Sequence, residues 1–439
     1  MEMNLGQWAT SASVRAKIGT PDVVWRECEV MNGHMLLVGA SGCGKTHTIR
    51  NIVKRMSQSA ENDVRFHVFD VHDDIELPNS SEVFFSESSE YGLNPFVVDP
   101  DRHTGGVRKA IQNFISTINR TSRKIGDRQE AVLRALLEDL YAANGFFADR
   151  PQSWSLDGLF RGNPKKSPTI NDLHRYTMYQ YKRLFLGGDN RSASALNQVN
   201  RESSRIQKLN KEDRTQFDEK LAVMKDKAIQ SYTDYVLSIE SGNELEEMLR
   251  YDSKTTLKSV LDRVDNIRST GVFRNVQPNF NPRAPVWRYR LKALGSDEKK
   301  MFILFKLKEI YDRVVSRGPQ SYISEVIIID EANNFMDADP DNIINIMANE
   351  IRKFGVALIC ASQSFTHFTE DFLASTATKI ILGIDEMYWD RTAKKLQIDK
   401  KLIAWIQPRR SALINIKRTP MDSSDPTGKE RWFTTALYS

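Results

Sequence analysis

Residues 33–53, GHMLLVGASGCGKTHTIRNIV, constrain the fold of this chain more than any other stretch. Met35 to Val38 is a short apolar run of buried-strand type, Gly39 to Thr46 reads GxxxxGKT, and His47 to Met56 continues at helical spacing. Glycines let the backbone curl so that successive N–H groups converge on a β-phosphate at the positive end of the following helix. Lys45 is placed to reach the β- and γ-phosphates, and the Thr46 hydroxyl to ligate Mg²⁺. The expected nucleotide contacts are therefore Gly39, Ala40, Ser41, Gly42, Cys43, Gly44, Lys45, Thr46 and His47, with ATP as the expected ligand. A tight glycine turn with no ligand is the competing reading, and the strand before and helix after weigh against it.

A strand–loop–helix unit of this kind belongs to an α/β sheet, and the rest of the chain divides accordingly. Residues 1–100 have α/β texture: "VRAKIG" and "DVVWREC" are strand candidates, and Val64 to Phe69 is a strand that ends in Asp70, His72 and Asp73. His72 beside two carboxylates suggests a metal site less than it suggests a strand-end loop next to the nucleotide. Residues 101–285 change to long helical patterns. Val132, Leu133, Leu136, Leu137, Leu140 and Tyr141 share one helix face that Gly145 stops, and residues 190–250 read as an exposed helical arm or hairpin. The α/β texture returns over 286–439 with "PVWRYRLKAL", a helix from Asp297 to Arg317 capped by Ser296, and the strands "SEVIII", "GVALICAS", "TKIILG", "SALINIK" and "RWFTTAL". The expected architecture is α/β, a P-loop NTPase (RecA-like) sheet, mostly parallel with helices on both faces, carrying a large helical insertion.

Composition narrows the partners. No apolar run among the 439 residues approaches the roughly 20 needed to span a membrane. The first residues lack a basic-then-apolar export pattern, so a cytoplasmic protein is expected. Three cysteines, Cys28, Cys43 and Cys360, make neither a disulfide framework nor a zinc site. Net charge is only +5, but it is concentrated: seven Lys/Arg stand against one Asp from Arg102 to Arg128, and twelve against five acids from Arg161 to Arg214. The remainder is net acidic. A polyanion partner accounts for that distribution, as do solvated helix faces rich in Lys and Arg.

The second half of a phosphate-transfer site is legible in "IIIDEANNF". Asp330 and Glu331 follow an apolar strand, the Walker B pattern, which puts carboxylates at the sheet edge crossed by the phosphates. Asp330 is placed to hold Mg²⁺ and Glu331 to polarise the attacking water. Gln363, just past the next strand, is placed to touch the γ-phosphate or that water, or to serve as a strand-end amide.

With these pieces in order, the chain resembles the HerA/FtsK-type ATPases. "GASGCGKT", "FDVHDD", "YGLNPF", "IIIDEANNF", "RKFGVALICASQS" and "TKIIL" carry the resemblance, over roughly residues 30–100 and 285–440. It is nearest to the HerA-like branch and the related ATPases of conjugation and type IV secretion. It departs at Asn333, where HerA proteins often carry His, and before the loop, where about 30 residues stand in place of a β-barrel. The resemblance implies a homo-hexameric ring, ATP sites at subunit interfaces, double-stranded DNA in the pore, and a trans-acting Arg352. It also carries Lys45, Thr46, Asp330, Glu331 and Gln363 over in the roles above. The leading expectation is a ring ATPase that translocates on or unwinds DNA beside a separate nuclease or effector, in DNA processing or anti-phage defence. The alternatives are a conjugation or secretion motor and a nucleotide-gated assembly scaffold.

Overall fold

Short runs rich in Val, Ile and Leu, each closed by a polar turn, become buried strands, and the longer amphipathic runs between them become helices. The computed structural model describes residues 1–9, 21–61, 63–121, 124–186, 190–206, 211–237, 250–251, 253–419 and 431–437. The chain makes two compact units, Met1–Leu93 with Val276–Ser439, and Asn94–Asn275.

The first unit begins with β1 (Glu2–Trp8), β2 (Asp22–Arg26), β3 (Met35–Gly39), α1 (Lys45–Ser59), β4 (Arg65–Asp70) and β5 (Ser80–Phe84). The second unit intervenes, with α2 (Val107–Thr121), α3 (Asp127–Ala143), the hairpin β6 (Leu159–Phe160) and β7 (Asn163–Pro164), then α4 (Ile170–Leu186), α5 (Asn190–Ile206), α6 (Lys211–Leu237) and α7 (Lys254–Ser269). The first unit resumes with β8 (Val286–Arg290), α8 (Ser296–Arg317), β9 (Glu325–Ile329), β10 (Val356–Ser362), β11 (Thr378–Gly383), β12 (Ser411–Ile416) and β13 (Arg431–Ala436).

Among the described residues, eleven strands form one sheet in the order β2-β1-β13-β12-β11-β3-β10-β9-β4-β8-β5. From β11 to β5 all neighbours are parallel, and from β11 back through β12, β13 and β1 to β2 they are antiparallel. Leu36 of β3 is in register with Cys360 on one side and Lys379 on the other. Parallel pairing needs crossovers, and these cover both faces. Met35, Leu37 and Val68 share a buried cluster with Ile49, Ile52, Val53 and Met56 of α1. Burial of each such α1 side chain contributes about 2 kcal/mol. The next residue after Val68, Phe69, points to the other face. There it stacks on Tyr289 at 4.8 Å, which in turn meets Phe302 of α8 at 6.0 Å.

Several local expectations shift. The strand expected over Val64 to Phe69 runs Arg65–Asp70. Ser296 is the first helical residue, not the cap; Gly295 occupies the cap and offers no side chain. The "VRAKIG" strand, residues 14–19, lies outside the described residues. β1 is new. Its Gly6 has φ 136°, and a Cβ there would sit 2.3 Å from the Ala436 carbonyl of β13.

In the second unit, Val132, Leu133, Leu136, Leu137, Leu140 and Tyr141 form the buried face of α3, as their spacing predicts. The Tyr141 hydroxyl donates to the Phe96 carbonyl at 3.2 Å, and Phe96 packs on Phe114 at 4.7 Å. Within the segment expected as an arm, α5 and α6 pack together as a helical pair, while residues 207–210 and 238–249 lie outside the description.

Candidate active site

The phosphate loop leaves the carboxyl end of β3 through Gly42 and Gly44, whose φ values of 79° and 100° are ones a side chain rarely adopts. That turn lets α1 begin at Lys45. The Ala40 N–H donates to the Gly383 carbonyl at 2.7 Å, which ties the loop to β11. Lys45 Nζ donates to the Gly39 carbonyl at 2.9 Å and lies 3.7 Å from Glu331 Oε1.

The Thr46 hydroxyl donates to Asp74 Oδ2 at 3.1 Å. Asp74 is put there by Asp70, whose carboxylate accepts from the N–H groups of Asp73 (2.7 Å) and Ile75 (2.9 Å) at the end of β4. Buried Arg288 pairs with Asp70 at 2.7 Å. Arg290 grips Asp73 at 2.6 and 2.7 Å, and these bonds hold the Asp73 carboxyl below its usual range. The two carboxylates around His72 thus serve arginines, and no cluster of His, Cys, Asp and Glu suited to a metal occurs among the described residues.

Asp330 and Glu331 directly follow β9, and both are buried. Burial, with repulsion from Glu331 and Asp74, pushes the Asp330 carboxyl up to about 6. Glu331 has φ 49°, left-handed for a non-glycine residue, and its two oxygens accept from Gln363 Nε2 at 3.3 and 3.4 Å. The Ser362 hydroxyl donates to Asn333 at 3.0 Å, joining the turn after β9 to the end of β10. Lys45, Thr46, Asp74, Asp330, Glu331 and Gln363 all line one cavity of about 910 Å³. A hydroxyl with one or two carboxylates is the donor set of a Mg²⁺ that takes its remaining ligands from phosphates and water. Thr46 and Asp330, with Asp74 beside them, fit that requirement.

No protein-family profile matches the sequence, and no curated protein is significantly similar to it. Solved structures are similar. VirB4 of Thermoanaerobacter pseudethanolicus matches at TM-score 0.60 and 14% identity, over 100% of this chain and 96% of that one. The plasmid coupling protein TrwB with the ATP analogue ADPNP matches at TM-score 0.52 and 10% identity, over 99% of this chain and 94% of that one. TrwB with the GTP analogue GDPNP matches at TM-score 0.50 and 10% identity, over 100% and 95%. The chain shares its fold with VirB4 and TrwB.

On this shared fold the sequence-derived residues separate into two places. Gly39 to Thr46, Asp330, Glu331 and Gln363 meet at the carboxyl edge of the sheet, and His47 stands exposed at the start of α1, 3.0 Å from Asn51. Arg352 is elsewhere. It is exposed in the 3-10 turn Ile351–Phe354 that precedes β10, so the whole of that strand separates it from Gln363, about 20 Å. Asp74 and Arg409 are among the cavity residues that escape the sequence reading. Asp74 is one place beyond the acids singled out in "FDVHDD". Arg409 precedes β12, with φ 66°, and its Nε donates to the Gly42 carbonyl at 2.8 Å, a contact across 367 residues. No local pattern announces it.

Proposed function

We propose that this chain is an ATP-hydrolysing motor of the conjugation and secretion class, acting as a ring on double-stranded DNA. The observation that carries the reading is the meeting of Lys45, Thr46, Asp330, Glu331 and Gln363 in one cavity at the edge of β3, β9 and β10. The likeness in fold to VirB4 and TrwB supports the conjugation and secretion class. That likeness favours this class over the reading of a DNA-processing motor beside a separate nuclease or effector.

The chemistry follows from the side chains. The Lys45 ammonium, now 3.7 Å from Glu331, turns to the β- and γ-phosphates of bound ATP and leaves that carboxylate free to take a proton from water. Gln363, already donating to Glu331, orients the same water. Thr46 and Asp330 would hold Mg²⁺, which would neutralise charge on the phosphates. Arg352, too distant to serve its own subunit, reaches a neighbour's γ-phosphate in the ring, where its planar fork stabilises charge as the bond breaks. Exposed Arg102, Arg108, Lys109, Lys124 and Arg128 contribute phosphate contacts to the duplex.

Steady-state ATPase with and without duplex DNA, joined to membrane fractionation of cells that express the protein, tests this. Stimulation by duplex together with co-fractionation supports the proposal. Slow turnover indifferent to DNA overturns the motor in favour of a nucleotide-gated scaffold, and DNA stimulation with no membrane association returns weight to DNA processing.

A further inference from the structure

The cavity has a second half that the phosphate chemistry leaves unused. Everything assigned to phosphate and water beyond the loop comes from one side of β3 in the sheet: Gln363 after β10, Asp330 and Glu331 after β9, Asp74 after β4. The same cavity continues on the other side of β3, toward β12, β13 and β1. Arg409 precedes β12, Leu437 follows β13 and Leu5 lies in β1. At the usual strand spacing β12 stands about 10 Å from β3. A triphosphate with its β-phosphate in the loop and its γ-phosphate at Glu331 and Gln363 has this direction left for its nucleoside.

Arg409 is built to receive it. The Nε at the edge of its guanidinium donates to the Gly42 carbonyl at 2.8 Å, which anchors the group to the phosphate loop while the side chain stays exposed. Its left-handed backbone, φ 66°, turns the residue back over the loop. The Leu437 N–H donates to the Arg410 carbonyl at 2.9 Å, so the end of β13 is pinned beside it. A planar cation fixed by its edge offers its face to an aromatic ring, and two leucines supply an apolar wall.

We propose that the base of the bound nucleotide stacks on the Arg409 guanidinium, with Leu5 and Leu437 closing the nucleoside subsite. The inference rests on the ATP-binding reading above and goes beyond it by assigning the grip on the nucleoside to the antiparallel end of the sheet.

Calorimetric titration of the full chain with Mg-ATP and with inorganic tripolyphosphate, which has no nucleoside, separates the two readings. Arg409→Gly suits the left-handed backbone and is the variant least disturbing to the turn. It is expected to lose about tenfold in ATP affinity, the scale of one stacked cation, and to bind tripolyphosphate as the parent does. Arg409→Lys keeps a donor for Gly42 but has no plane, and should show the same selective loss. Lys45→Ala should weaken both ligands. Equal weakening of ATP and tripolyphosphate by Arg409→Gly, or full recovery of ATP affinity in Arg409→Lys, overturns the stacking proposal and leaves the ATP reading standing. A parent protein that binds neither ligand overturns both.

Discussion

Glu331 sits between two partners, Lys45 on one side and Gln363 on the other, on a backbone that few non-glycine residues adopt. Such strain persists where the surroundings fix the residue, and it aims the carboxylate into the cavity. Glu331→Gln keeps size and hydrogen bonding while removing the base, so nucleotide binding should survive and turnover should fall by about 10²- to 10⁴-fold. Lys45→Ala should instead weaken binding itself. Fluorescent-nucleotide titration with phosphate-release assays checks the pair, and near-normal turnover in Glu331→Gln excludes it as the base. Both residues are legible in the sequence because each sits in a short pattern whose spacing is set by local geometry. Arg409 and Asp74 are not, since Arg409 meets the loop only through the order of strands, and Asp74 gains its place from the Arg288–Asp70 pair.

At the scale of elements, β3 and β10 are held together outside their ladder by His34. Its Nδ1 accepts the Leu358 N–H at 3.0 Å within the buried sheet. Burial, reinforced by the charge of Arg352, pushes the imidazole down to about 4 from 6.5. A folded value below the unfolded one means the unfolded chain takes the proton first as pH falls. The stability that His34 contributes is complete above pH 6.5 and is lost between 6.5 and about 4, about 3 kcal/mol in all. Urea unfolding at pH 7 and pH 4.5 should therefore show a smaller acid loss in His34→Gln than in the parent, and equal losses refute the assignment. The strands of this region are legible because apolar runs such as Val326 to Ile329 are buried on both faces. β1 is less so. Its polar, Gly6-interrupted sequence becomes a strand only because β2 and β13 flank it.

For the whole molecule, Arg352 lies at the edge opposite the phosphate loop, and under the proposed ring a lone subunit should be a poor ATPase. Mixing Arg352→Ala with Lys45→Ala subunits should restore part of the activity, because some interfaces pair an intact site with an intact arginine. No recovery in rings proven to be mixed counts against a trans role. The exposed cations from Arg102 to Arg128 give a second test at this scale. Duplex affinity should fall steeply with salt and depend little on sequence, and charge-reversal of Arg108 with Lys109 should flatten the salt slope measured by anisotropy.

The sheet order also decides when this protein can fold. β3 leaves the ribosome early, yet both of its neighbours, β10 and β11, are translated after the whole Asn94–Asn275 unit; His34 waits for Leu358 across 324 residues. The nascent amino-terminal segment therefore carries the unpaired edges of Met35–Gly39 through most of synthesis while the helical unit emerges and collapses. Stalled or truncated chains should be captured by holdase chaperones until residue 383 is out, and ATP can act as a folding ligand only after that point.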